Sequence, residues 1–222
     1  MRTALPNARF FGLTGTPISD KDRNTFTIFG DPADPGHVLN AYSIERSIAD
    51  GASVPVHVET RLIKFHLDRT ALDSAFEELA TEEDLSEEER EFLVGKAGHV
   101  KTVLMNPDRV RAVCEDIVEH YTRKIAPLGM KAQIVAYDRE LVVAYETEIN
   151  RILAERNLAH TTAVVMTSSG KSDPAGWSKY ELDRAAEQAL IARFNDPDDD
   201  LSLLIVTAKL LTGFDAPIEQ VM

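Results

Sequence analysis

From Asn106 to Val206 the apolar positions of this chain fall into two alternating rhythms. Val110, Val113, Cys114, Ile117, Val118 and Tyr121 recur at helical spacing. Asn106-Pro107-Asp108 precedes them as an N-cap, a proline at the first helical position and an acid facing the positive end of the helix dipole. Residues 131–137 then read as a strand, and 139–157 as a helix with Leu141, Ala144, Tyr145, Ile149 and Ile152 inward. A second β-branched run, 161–167, is followed by a polar loop at 168–177. Residues 178–195 predict a helix burying Leu182, Ala185, Ala189, Leu190 and Phe194, and 201–206 another apolar strand. Short apolar strands alternating with amphipathic helices predict an α/β fold, with crossover connections and a parallel sheet covered on both faces.

The first half is less regular. Residues 8–13 predict a buried strand ending in the turn Thr14-Gly15-Thr16-Pro17. Residues 18–52 are loop-rich, with Asp31-Pro32, Asp34-Pro35-Gly36 and Asp50-Gly51 as turn signals and a short helix over 41–48. Residues 54–67 predict one or two strands. The run from Glu77 to Glu91 is helical and highly charged, and Ser86 with Glu89 forms a capping box. That run predicts a solvated helical insertion.

A net charge of −13 bears on partners, because nucleic-acid binding depends on basic surface. An isolated DNA-binding module of this charge is disfavoured; a larger machine needs only a local basic groove. No apolar run approaches the roughly 18–20 residues of a membrane span, and the N-terminus carries no signal-peptide core, so a cytoplasmic protein is expected. Cys114 is the sole cysteine, which excludes an internal disulfide. The histidines at 37, 57, 66, 99, 120 and 160 show no ligand spacing, so no metal site is expected in this segment. Gly170-Lys171-Ser172 imitates the end of a phosphate-binding loop. The full pattern needs a glycine five positions earlier, where Val165 stands, and Asp173-Pro174 blocks the required helix.

The most specific wording lies near the C-terminus. A strand ends at Thr207, and Lys209 and Leu210-Leu211-Thr212-Gly213-Phe214-Asp215-Ala216-Pro217 follow. This resembles motif V of superfamily two helicases, and its wording is similar to the motor (R) subunit of type I restriction enzymes. Phe10 to Ile18 with Thr14-Gly15-Thr16, then Phe29-Gly30, Tyr42 and Ile48 to Gly51, resembles the same subunit from motif III into its second lobe. Ile134 to Arg139 matches motif IV, with Asp138 where that family usually has serine; Asp138 also suits the N-cap of the next helix. Arg184, Phe194 and the strand ending at Thr207 follow the same superfamily order.

The resemblance implies a RecA-like motor lobe of three-layer α/β/α form. Residues 1–17 would end a first lobe, 18–53 would connect, and 54–222 would form most of a second lobe with an acidic helical insertion at about 70–100. It implies that Thr14, Gly15 and Thr16 couple nucleotide state to lobe movement. Thr207, Lys209 and Arg139 would contact DNA, while Gly213 and Asp215 would meet the nucleotide. Asp215 also reads as a turn residue before Pro217, and Lys209 as a solvated lysine. The intact subunit is expected to use ATP and magnesium, to move and cleave double-stranded DNA, and to assemble with methylation and specificity subunits. This stretch contains no complete Walker A motif and no Asp-Glu magnesium pair, and it ends before motif VI. Alone it is expected to be inactive and to hold no cofactor. Two other readings stand beside this one: another superfamily two helicase or translocase, and a non-catalytic acidic α/β interaction module.

Overall fold

The computed structural model describes residues 7–19, 24–63, 99–168, 170–211 and 213–222. The acidic run at 77–91, with its capping box, lies outside them. The chain divides into two compact units, Met1–Arg61 and Leu62–Met222.

The first unit is built from short, locally capped pieces. Helix α1 (Thr25–Phe29) starts at Asn24, whose side chain accepts from the Thr27 N–H at 3.0 Å. Gly30 ends it with an N–H bond to Phe26 O, and the chain turns there so tightly that a Cβ would lie 2.3 Å from His37 O. Only glycine fits that approach. Helix α2 (Ile44–Ala49) begins at Ser43, whose hydroxyl accepts from Arg46 N–H at 3.3 Å, and occupies the helical stretch expected over 41–48.

Two strand expectations fail in this half. Residues 8–13 form no strand, and Phe11 and Leu13 are 71% and 99% exposed. Residues 54–63 also form none, leaving Val54, Val56, Val58 and Leu62 in solvent; 64–67 fall outside the described residues. An apolar run becomes a strand only when a neighbour completes its hydrogen-bond ladder. Among the described residues of this unit, the sole strand-like pairing is the Ser19–Asn24 bridge.

The second unit has the α/β architecture that the alternating pattern predicts. Helices α3 (His99–Leu104) and α4 (Pro107–His120) are followed by a π-helical turn, Tyr121–Ile125. Then come β1 (Lys131–Val135), α5 (Arg139–Glu155), β2 (Thr161–Val165), α6 (Arg184–Asn195), β3 (Leu201–Val206) and β4 (Glu219–Val221). The caps are those the sequence suggests. Asn106 Oδ1 accepts from Asp108 and Arg109 N–H at 3.0 and 3.1 Å, and Asp138 Oδ1 accepts from Leu141 N–H at 2.8 Å. The expected helix at 178–195 is broken. Trp177–Tyr180 forms a separate 3-10 turn, and Asp183 caps a fresh start by accepting from Ala186 N–H at 2.8 Å. An acid that can bond the backbone ahead of it starts a helix better than it continues one.

The four strands among the described residues are all parallel, in the order β2–β3–β1–β4. Every residue of β3 is buried, because both of its faces are covered. Leu203 and Ile205 pack with Val118 of α4 and Val142 and Ile149 of α5, whereas Leu204 and Val206 pack with Phe194 of α6. Burying each such aliphatic side chain contributes about 1.5–3 kcal/mol.

Lys131 is buried at the amino end of β1. Its ammonium donates to the carbonyls of Arg193, Asp196 and Asp199 at 3.2, 2.6 and 3.1 Å, satisfying carbonyls at the end of α6. Arg193 pairs with Asp199 at 2.9 Å and, with the Leu201 N–H, holds that carboxyl down to about 2.

His160 lies beside this turn. Ser202 Oγ donates its only proton to Asp200 O at 2.9 Å, so at 3.0 Å from it His160 Nδ1 is the N–H donor. Burial pulls the His160 pKa below its ordinary 6.5. The unfolded imidazole takes up a proton before the folded one does. Its contribution to stability is therefore complete above about pH 6.5 and is lost as pH falls through the folded pKa. We expect Tm to drop between pH 7.5 and 5.5, and to drop less in His160→Gln, as thermal unfolding at the two pH values would show.

Candidate functional site

Parallel α/β sheets present their loops for ligands at the carboxyl ends of the strands. Here β3 and β1 emerge side by side, and the Ala136 N–H donates to Val206 O at 2.8 Å, extending the pairing to the last residue before Thr207. Thr207 thus leaves the sheet next to the segment Ala136–Arg139. The loop from Thr207 to Ile218 then carries Lys209, Gly213 and Asp215 before the chain enters β4.

Among the described residues of this loop, Leu210 at 63° and Gly213 at 71° sit at positive φ. Glycine adopts this at little cost, whereas a branched side chain at Leu210 is held there by packing against the α6 side of the core. Among the described residues, and apart from its chain neighbours, no atom lies within 4 Å of where a Gly213 Cβ would stand, so its backbone is open to approach. Phe214 anchors the loop, its ring 6.2 Å from Phe194. Asn195 Nδ2 donates to Asp215 O across a long 3.4 Å, while the Asp215 side chain is exposed and makes no hydrogen bond among the described residues. Thr207 is half-buried, and Lys209 pairs with Glu187 of α6 at 2.6 Å.

Arg139, at the first turn of α5, is already engaged. Its Nη1 donates to Asp173 Oδ1 at 2.6 Å and to Thr167 O at 3.2 Å, and its guanidinium lies 5.3 Å from the Trp177 ring centroid. Ser168 extends this cluster with contacts to Asp173 and Glu181. The loop after β2 is therefore tied to the start of α5, and Gly170–Ser172 forms only a short 3-10 turn within it.

Thr207, Lys209, Gly213 and Asp215 thus share one loop, and Arg139 opens the helix that follows the neighbouring strand β1. Thr14, Gly15 and Thr16 belong to the first unit, where all three are exposed and the Thr16 N–H donates to Thr14 Oγ1 at 3.0 Å. Sequence reasoning missed Asp173, Trp177 and Asn195 as partners of these residues. The sole tryptophan of the chain and the Asp-Pro step beside it were the available signals for the first two. Among the described residues, no three His, Cys, Asp or Glu side chains converge as metal ligands, and no helix is long and apolar enough to cross a membrane.

Comparison with known proteins adds an independent line. The family model for the SWI2/SNF2 ATPase matches residues 1–91. The HindI type I restriction enzyme endonuclease subunit of Haemophilus influenzae is 31% identical over 223 residues, covering 98% of this chain and 20% of that protein. A Methanocaldococcus jannaschii protein carrying the designation MjaIXP type I restriction enzyme endonuclease subunit is likewise 31% identical over 217 residues, covering 98% of this chain and 20% of its own length. This chain spans about one fifth of the length of these curated relatives.

Proposed function

Because this chain is homologous along 98% of its length to type I restriction enzyme endonuclease subunits, we propose that it is the part of such a subunit that couples ATP hydrolysis to movement along double-stranded DNA. The observation that carries the reading is the Thr207–Asp215 loop. It presents the Thr207 hydroxyl at the carboxyl edge of the central strand and, farther along the same loop, an exposed glycine and a carboxylate that bonds nothing among the described residues.

In this proposal Thr207 gives its hydroxyl or N–H to a DNA phosphate, which positions the duplex without reading its sequence. Lys209 and Arg139 add positive charge beside that contact. Each would exchange a carboxylate partner, Glu187 or Asp173, for phosphate as DNA seats. Gly213 lets the backbone approach the nucleotide, and Asp215 accepts a hydrogen bond from its ribose. ATP, with magnesium held by residues outside this stretch, supplies the free energy; Thr14, Gly15 and Thr16 couple its state to lobe movement. Residues 1–17 would close a first RecA-like lobe, 18–53 connect it, and 54–222 form most of the second, with the acidic insertion at about 70–100. The exposure of Phe11 and Leu13 is what the edge of a larger first lobe would leave. Methylation and specificity subunits and a cytoplasmic setting complete the proposal.

The test is phosphate release. The full-length subunit is expected to hydrolyse ATP in a DNA-stimulated manner, and the 222-residue chain to release none above background. DNA-stimulated release by the short chain would show that its ATP site is complete, against this account. No release by the full-length subunit would favour a binding module.

A further inference from the structure

Gln133 and Asn195 carry three buried polar atoms without partners among the described residues: Gln133 Nε2 and Oε1, and Asn195 Oδ1. Gln133 is 2% exposed in the middle of β1, where an aliphatic side chain would pack without loss. A buried amide left unpaired is costly, so its presence needs an explanation. In register Gln133 faces Leu204, which packs with Phe194, so its side chain lies in the same layer as α6. Two residues earlier on that face, Lys131 bonds the carbonyls of Arg193 and Asp196, which bracket Asn195. Asn195 in turn reaches the loop, donating to Asp215 O at 3.4 Å. The loop itself bends through Leu210 at a φ of 63°, a conformation that branched residues rarely adopt.

We propose that Gln133 and Asn195 are positioning residues, a buried carboxamide seat that grips the backbone around Asp215 when the loop closes on nucleotide. Their unmet donors and acceptors are spare bonds for that closed arrangement, and the long Asn195–Asp215 contact shortens as the seat engages. This rests on the reading of Asp215 as a nucleotide-binding residue, and it adds two residues that act through Asp215 without touching ATP.

The experiment is steady-state ATP hydrolysis by the full-length subunit with saturating DNA, using Gln133→Met, Asn195→Leu and Asp215→Ala, alongside thermal unfolding. Gln133→Met preserves volume and removes the orphan amide, so a purely structural glutamine predicts equal or higher Tm and unchanged kinetics. The seat predicts instead a KM for ATP raised about three- to tenfold, kcat altered less than twofold, and Tm not lowered. Asn195→Leu is expected to raise KM in the same way; if it fails to fold, Gln133→Met still decides. Unchanged KM in Gln133→Met, with KM raised in Asp215→Ala, overturns the seat and leaves the nucleotide reading intact. Unchanged KM in Asp215→Ala overturns that reading and the seat with it.

Discussion

Phe194→Ala is expected to lower the unfolding free energy of this chain by about 3–5 kcal/mol, a large share of the roughly 5–15 kcal/mol that holds a typical domain together. Phe194 is fully buried among Val165, Leu201, Leu204 and Val206, and its ring also meets Phe214 and lies 5.8 Å from the Lys131 ammonium. Truncation therefore opens a cavity under α6 and removes the anchor of the Thr207–Asp215 loop in one step. The chain's other anchor there, Phe214, is only half-buried, so Phe214→Ala costs less. Urea unfolding followed by circular dichroism measures both. Equal losses would mean that the loop, not the sheet, dominates this half of the core.

Asp215→Ala in the full-length subunit is expected to lower kcat/KM for ATP by about 10- to 100-fold. A hydrogen bond to an ionised group is worth about 1.5–3 kcal/mol, and each 1.4 kcal/mol is a factor of ten. The side chain is exposed and bonds nothing among the described residues, so its loss leaves the fold of this unit undisturbed. That separates the nucleotide role from the turn-residue role. A residue that merely shapes the turn before Pro217 would lower Tm and leave ATP kinetics unchanged. Asp215→Asn, which keeps the shape and removes the charge, should fall between wild type and Asp215→Ala.

Much of the second unit was legible because its signals are local. Asn106-Pro107-Asp108 fixes the start of α4 by capping chemistry alone, and the unbroken run 201–206 marks a strand buried on both faces. Asp138 could be read as a cap from its place before Arg139, and the structure makes that bond. What escaped was non-local. Lys131 has the look of an ordinary strand lysine, and its role as a cap for α6 depends on carbonyls more than sixty residues away. Arg139 reads as a free cation until Asp173, 34 residues on, folds against it. Residues 8–13 and 54–63 carry strand-like patterns, yet no ladder forms on them, because periodicity describes one edge and says nothing about whether a second edge is present. The break before Asp183 is a competition between two helix-compatible readings that the apolar spacing of Leu182, Ala185 and Ala189 concealed.

For the candidate site, the loop residues were legible as wording and their supports were not. Thr207, Gly213 and Asp215 share one loop because they are close in sequence. Asn195 reaches Asp215 only through the return of α6 across the sheet, and Gln133 faces the α6 side only through the parallel register of β1 with β3.

The central claim is movement along intact duplex DNA driven by ATP. The most direct measurement follows a roadblock bound to a linear duplex while the full-length subunit, with its partner subunits, is supplied with ATP. The account predicts that the roadblock is displaced after a delay that grows with its distance from the loading site, while the two strands remain paired. Strand separation would make the motor an unwinding helicase, and absence of ATP-dependent displacement would contradict the motor reading altogether.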